Sequence, residues 1–336
     1  MHIPRYWAQA RLRHTTGMRH GMTVQRWGWS DTSAHAAQLH AQQRAQQALA
    51  HCLQTAANPS LALDVPERME WLNAYSLDGT TPIREEILEE REHAVMTRNS
   101  YGAQCLNTDC VAIADIDYPA ACSPPWFPWL SMLLLVLGVS GLGIASAHAN
   151  RLGWLLWCIF VGRIFYRNCG AWLQARAQRS TTPQAQAWAH IQALAAAQPH
   201  WGLRIYETPK GLRVIVTHAI WAVDAPEVRT LFQQLHVDPL YALLCQRQRC
   251  FRARVSGKPW RMGLSGLSSQ QRQWPTAAAH QAARHTWVAH YQTQAQQFAA
   301  CRWIAQLGPM QMPPAVQALV DWHDAASQAH TTLPLA

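Results

Sequence analysis

Residues 126–147 run for 22 positions without a charged side chain, opening Trp126-Phe127-Pro128-Trp129-Leu130 and continuing through Met132-Leu133-Leu134-Leu135-Val136-Leu137. A helix of that length reaches across the ~30 Å hydrocarbon core of a bilayer, and tryptophans at its start suit an interfacial belt. A second run, 152–168, is weaker because Arg163 and Arg167 interrupt it. An arginine near a helix end can still reach back to the interface. No Lys or Arg lies between Arg98 and the first run, whereas Arg163, Arg167, Arg176 and Arg179 follow the second. That asymmetry predicts a transmembrane helical hairpin over 126–170, in a bacterial inner membrane, with both termini cytoplasmic. The competing reading of the first run is a buried helix of a folded core.

With both flanks on one side, 1–120 and 180–330 can be two halves of one domain. Strands are expected near 6–14 and 22–29, then a helix over 34–57 after the capping residues Ser30-Asp31-Thr32-Ser33. Thr81-Pro82 predicts the start of a short acidic helix; strands are expected at 93–97, 104–107 and 111–117. Beyond the hairpin, a helix from Pro183 precedes strands at 203–207 and 212–217, joined by Thr208-Pro209-Lys210-Gly211. Helices over 225–235 and 239–249, a strand at 251–255 and a helical tail over 276–330 complete the pattern. Strands and helices in irregular order make this an α+β fold. The expectation is one mixed or antiparallel-sheet cytosolic domain interrupted by the hairpin. Met1-His2-Ile3-Pro4-Arg5 lacks the apolar core of a signal peptide, and the nine cysteines include no pair with a two-residue gap, which predicts reduced thiols.

Charge is unevenly spread. The 336 residues carry 28 Lys+Arg against 19 Asp+Glu, a formal +9, with only two lysines, Lys210 and Lys258. Nine of the acids fall between Asp64 and Glu92, and none between Pro239 and Val320, where Arg247, Arg249, Arg252, Arg254, Lys258 and Arg261 cluster. A one-signed stretch of this kind predicts contact with phosphate, nucleic acid, anionic lipid or an acidic protein partner. A face that pairs with the acidic segment is the alternative.

Val111-Ala112-Ile113-Ala114-Asp115-Ile116-Asp117 reads as a buried strand ending at a polar place. Asp115 and Asp117, two apart, share one strand face, and paired carboxylates of this kind suit Mg²⁺ or Mn²⁺. The other reading is an exposed strand end. Arg252 and Arg254 likewise share a face, with Arg204 and Arg213 on strands that could be neighbours. Planar guanidinium groups at such spacing fit phosphate oxygens. Lys258 and Arg261 follow in a loop that could close over a ligand, although Ser256-Gly257-Lys258 lacks the upstream glycine of a phosphate-binding loop. His218 ends a strand and could carry a proton or contact phosphate, one histidine among 17. His280, His285 and His290, five apart, do not stack on one helix face.

Two resemblances follow from these motifs. Gly202-Leu203-Arg204-Ile205-Tyr206-Glu207-Thr208-Pro209-Lys210-Gly211-Leu212-Arg213 resembles a bacterial membrane-protein family with no assigned activity, as do Asp238-Pro239-Leu240-Tyr241 and Lys258-Pro259-Trp260-Arg261. Ile113-Ala114-Asp115-Ile116-Asp117, His218 and Val237-Asp238 are similar, in order, to the three motifs of the archaeo-eukaryotic primase superfamily. That resemblance implies polymerase-type chemistry with Asp115, Asp117, His218 and Asp238 as catalytic residues. Val216 departs from it, standing where a small residue is expected. Asp-x-Asp also occurs in metal-dependent glycosyltransferases. Taken together, the sequence predicts that Asp115 and Asp117 hold a divalent metal. Arg204, Arg213, Arg252, Arg254, Lys258 and Arg261 are expected to contact a phosphate-bearing ligand, a nucleotide or nucleic acid. A non-enzymatic anchor or scaffold whose basic half meets anionic lipid or a protein is the alternative.

Overall fold

The computed structural model describes residues 1–16, 20–57, 69–70, 81–118, 159–160, 162–163, 166 and 182–336. Strands β1 (Tyr6–Thr16) and β2 (His20–Ser30) pair antiparallel over their full length. Helix α1 (Ala34–Ala57) lies on this hairpin. Its alanines explain the contact: Ala41 and Ala45, four apart on one helix face, are buried against Ala10, and the absence of bulk lets the backbones approach.

Two four-stranded antiparallel sheets follow, each assembled from both flanks of the chain. In the first, β3 (Glu86–Arg91), β4 (Ala94–Arg98) and β5 (Gln104–Thr108) form a meander, closed on the β5 side by β9 (Phe251–Arg254). In the second, β7 (Leu203–Thr208) and β8 (Gly211–Val216) form the hairpin expected from Thr208-Pro209-Lys210-Gly211. β10 (Arg302–Leu307) flanks β7, and β6 (Ile113–Asp117) flanks β8. Met1–Asp117 and Ile191–Ala336 therefore form a single compact unit. The helices after β6 include α2 (Pro183–Ala197), α3 (Pro226–Gln234), α4 (Pro239–Gln248), α5 (Ser269–Arg272), α6 (Ala278–Ala295) and α7 (Pro314–Ser327). Cys105, Cys110, Cys245, Cys250 and Cys301 are free thiols.

Three expectations are corrected. The fold is α+β, but among the described residues no helix is long and apolar enough to cross a membrane. The transmembrane hairpin and the inner-membrane placement are withdrawn on that finding. Physically, the second run is uninterrupted only from Leu152 to Gly162, well short of the ~20 residues a span needs. The first run, 126–147, lies outside the described residues. The acidic segment after Thr81-Pro82 is not a helix: Glu86–Arg91 is strand β3. Ladder partners on β4 and the packing of Ile87 with Val95 against buried Ile3, Ile83 and Cys250 outweigh the helix-favouring glutamates. Finally, the tail is interrupted by edge strand β10, whose pairing with β7 decides its conformation.

Strands β6 and β8 come together where Gly211 faces Asp117. A Cβ built on Gly211 would lie 1.9 Å from the Ile116 carbonyl oxygen, so only glycine permits this approach. Gly211→Ala is expected to lower stability by ~1–3 kcal/mol through overpacking, read as a lower urea midpoint. An unchanged midpoint would show that the strands are not this close.

Candidate functional site

The register that pairs β6 with β8 sets Asp115 directly opposite Arg213. Arg213 Nε donates to Asp115 Oδ1 at 2.7 Å and Nη2 to Oδ2 at 3.2 Å, a two-pronged pair. Its third nitrogen, Nη1, donates to the Arg254 carbonyl at 3.0 Å and lies 3.2 Å from His323 Nε2. Arg213 is 2% exposed. Burial opposes its charge, but Asp115 outweighs burial and holds the guanidinium above its usual range.

On β9, the two-residue period puts Arg252 and Arg254 on one face, opposite Asn107 and Cys105 of β5. Their fates differ. Arg252 Nη2 reaches both oxygens of Glu85 at 2.9 and 2.8 Å, and Nη1 donates to Asn107 Oδ1 at 2.9 Å. Glu85 is 1% exposed and also accepts from the Thr97 hydroxyl. Burial pushes the Glu85 carboxyl up to about 8, offset in part by the Thr97 hydrogen bond, and the Arg252 guanidinium down to about 9. Arg254 Nη1 instead donates to the carbonyls of Ser256 and Ala336 at 2.8 and 3.1 Å.

Where β9, the β7–β8 turn and the loop after β9 meet, a cavity of about 240 Å³ opens. Asp115, Asp117, Arg213, Arg252, Arg254, Lys258 and Arg261 all line it, together with Lys210, Tyr101 and Tyr241. Asp115 and Arg213 are engaged with each other, and Arg252 with Glu85. Among the described residues, Lys210, Lys258 and Arg261 have no carboxylate at ion-pair distance, while Arg254 is held by the Ser256 and Ala336 main-chain oxygens. Their crowding has an electrostatic cost. Burial, then Arg254 and Arg261, hold the Lys258 ammonium below its usual range, with Asp117 offsetting part of that; burial and Arg254 depress Arg261 likewise. Asp117 stands at the rim, its carboxyl raised by partial burial, then by Asp115 and Asp238.

Three sequence-predicted residues are not in the wall. Asp238 caps α4, its Oδ1 accepting from the Leu240 N–H at 3.0 Å, and reaches the site only through its field on Asp117. Arg204 Nη2 is bound to Asp324 at 2.6 Å. His218 Nδ1 accepts from the Gly202 N–H at 3.1 Å, its ring stacked on Trp201 at 5.9 Å and edge-on to Trp221 at 5.1 Å. Because Gly211 is the partner of Asp117, His218 lies seven residues further along that strand, roughly 20 Å away. The aspartate pair and the histidine of the primase-like pattern therefore do not meet.

Sequence reasoning missed several contributors. Lys210 was visible in the hairpin turn but had no assigned neighbour. Tyr241 carries no sequence signal of its role: its hydroxyl donates to the Ile113 carbonyl at 2.9 Å and receives the Arg252 N–H at 3.4 Å, joining α4 to both sheets. Behind Arg213, Asp324 of α7 gathers Tyr206 Oη and Arg204 Nη2 at 2.6 Å, His330 Nε2 at 2.9 Å and His323 Nδ1 at 3.0 Å. Burial alone would raise the Asp324 carboxyl, but hydrogen bonds from His323 and Tyr206 take it well below the carboxylate range. As for a divalent metal, both Asp115 oxygens are taken by Arg213, and no group of three His, Cys, Asp or Glu is placed to hold one among the described residues. Comparison with protein-family models, with curated proteins and with solved structures finds no match.

Glu85→Ala would leave Arg252 buried beside an empty space. It is expected to cost ~3–5 kcal/mol of stability, measured by urea denaturation. A loss below that of an ordinary surface substitution would mean that the pair is solvated.

Proposed function

We propose that this cavity binds a phosphate-bearing ligand, a nucleotide or a nucleic-acid phosphate, through Lys210, Arg254, Lys258 and Arg261. One observation carries the reading: three cations without carboxylate partners among the described residues, Lys210, Lys258 and Arg261, surround one open cavity together with Arg254, whereas its two remaining cations, Arg213 and Arg252, are each engaged by a carboxylate. An oxyanion placed there gains charge-assisted hydrogen bonds and relieves the repulsion by Arg254 and Arg261 that adds to burial in depressing Lys258. In this reading Asp115 anchors Arg213 rather than a metal, and Asp117 is the carboxylate through which Mg²⁺ or Mn²⁺ would join, with the ligand's own oxygens.

Sulfate, doubly charged across the accessible pH range, is a suitable first probe, titrated calorimetrically into the full chain at constant ionic strength. Lys258→Met and Arg261→Met should each weaken it roughly 10- to 100-fold, the contribution of one hydrogen bond to a charged group. Equal affinity in the parent and in both variants would sink the proposal. A second titration adds Mg²⁺ or Mn²⁺ with inorganic phosphate: tighter binding that disappears in Asp117→Asn would support the metal, and no gain would reject it.

The pH dependence has a definite sign. Asp117 is the rim carboxylate whose pKa is raised, so its negative charge is lost at a higher pH than for an ordinary aspartate. As pH falls through that value the cavity becomes more positive and sulfate binds more tightly. Asp117→Asn should bind sulfate more tightly at neutral pH and remove this part of the pH dependence. A variant whose pH profile matches the parent would contradict the assignment.

A further inference from the structure

Trp260 occupies the 3-10 turn Pro259–Arg261, between the cavity cations Lys258 and Arg261, and its side chain is 57% exposed. The turn that presents it is firmly held. Arg261 N–H donates to the Lys258 carbonyl at 2.9 Å, and the N–H groups of Met262 and Leu264 both donate to the Pro259 carbonyl, at 3.0 and 2.9 Å. Pro259 and Met262 are themselves buried. A fixed backbone therefore holds a large aromatic ring out in water, beside the one cavity already assigned to phosphate.

Its neighbours make an aromatic lip. The Tyr101 ring, part of the cavity wall, lies 5.4 Å from the indole at an interplanar angle of 57°, and Lys258 Nζ is 5.6 Å from the indole centroid. Lys258 thus faces both the anion cavity and a π-face, so a ligand that brings a phosphate and a flat ring together satisfies both. A nucleoside phosphate has that shape, with a sugar spacing the base from the phosphate. Every base has a π-face, so stacking needs no further hydrogen-bonding groups.

We propose that Trp260, with Tyr101, is the stacking surface for the base of a nucleoside phosphate, free or at a strand end, whose phosphate sits among Arg254, Lys258 and Arg261. The inference rests on the phosphate reading of the cavity given above. Trp260 is a specificity residue for the base and contributes little to the phosphate itself.

Three probes titrated into the full chain separate the two claims: inorganic phosphate, ribose 5-phosphate and adenosine 5′-monophosphate. Adenosine 5′-monophosphate should bind roughly 5- to 140-fold more tightly than ribose 5-phosphate, the range of one base–aromatic stack. Trp260→Ala should bring the two to parity while leaving ribose 5-phosphate unchanged, and Trp260→Phe should keep part of the advantage. Trp260 is exposed, so both variants should fold. Binding of phosphate and ribose 5-phosphate with no gain from the base, or a gain that survives Trp260→Ala, overturns this inference alone. No binding by any probe removes the phosphate reading and the inference with it. Given a base-dependent gain, competition by a 5′-phosphorylated oligonucleotide supports a strand end as the source, and its failure supports a free nucleotide.

Discussion

Arg213 projects from β8, and its one guanidinium addresses β6, β9 and α7 together. Two of its nitrogens bind the Asp115 carboxylate, and the third donates to the β9 carbonyl of Arg254 beside His323 of α7. Taking an ion pair out of water costs several kcal/mol per ion, and only complete hydrogen bonding offsets it. Here the remaining donor capacity is directed at a backbone carbonyl and an imidazole, so little of the guanidinium is left unsatisfied. Removing Asp115 would leave that cation buried and unpaired, which is why Asp115 belongs to the scaffold as much as to the site. Tyr241 makes a second, neutral bridge between the same two sheets.

Five cations of the acid-free stretch from Pro239 to Val320 fall into two groups. Arg284, buried, and Arg252, mostly buried, are drawn to Glu86 and Glu85, 198 and 167 residues away along the chain. Arg254, Lys258 and Arg261 remain around the cavity without such partners among the described residues. Acidic segment and basic stretch thus meet in part, and part of the charge left over lines the cavity. Net charge said that cations were in excess; geometry says which ones.

Much of this site could be read from local periodicity. Asp115/Asp117 and Arg252/Arg254 were placed on shared faces because a strand repeats every two residues, and that spacing survives any tertiary arrangement. What periodicity could not supply was pairing. Arg213 and Arg252 look like free phosphate ligands until carboxylates 98 and 167 residues distant are placed against them. His218 illustrates the converse: it follows a strand of the same sheet as Asp117, but antiparallel register sends it to the far end. β3 was read as a helix because glutamates dominate its composition, while the decisive contacts lie on β4 and around Ile83. β10 escaped notice since Trp303 and Ile304 carry no alternation with the residues beside them. His323 and Asp324, adjacent titratable residues in an otherwise apolar helix face, were the one available hint of the network behind Arg213.

The exchange of strands between flanks has a consequence for the order in which this molecule can be made. The β3–β4–β5 meander is complete once residue 108 has been synthesised, yet its outer edge waits for β9, which begins at Phe251. Likewise, among the described strands, β6 has no ladder partner until Gly211–Val216 has emerged. Contacts this far apart in sequence carry a large loop-closure cost and slow folding, and an unpaired strand edge is open to pairing with another chain in the meantime. For a ribosome-bound chain, the interval between residues 108 and 251 is therefore the period of greatest exposure to misassembly.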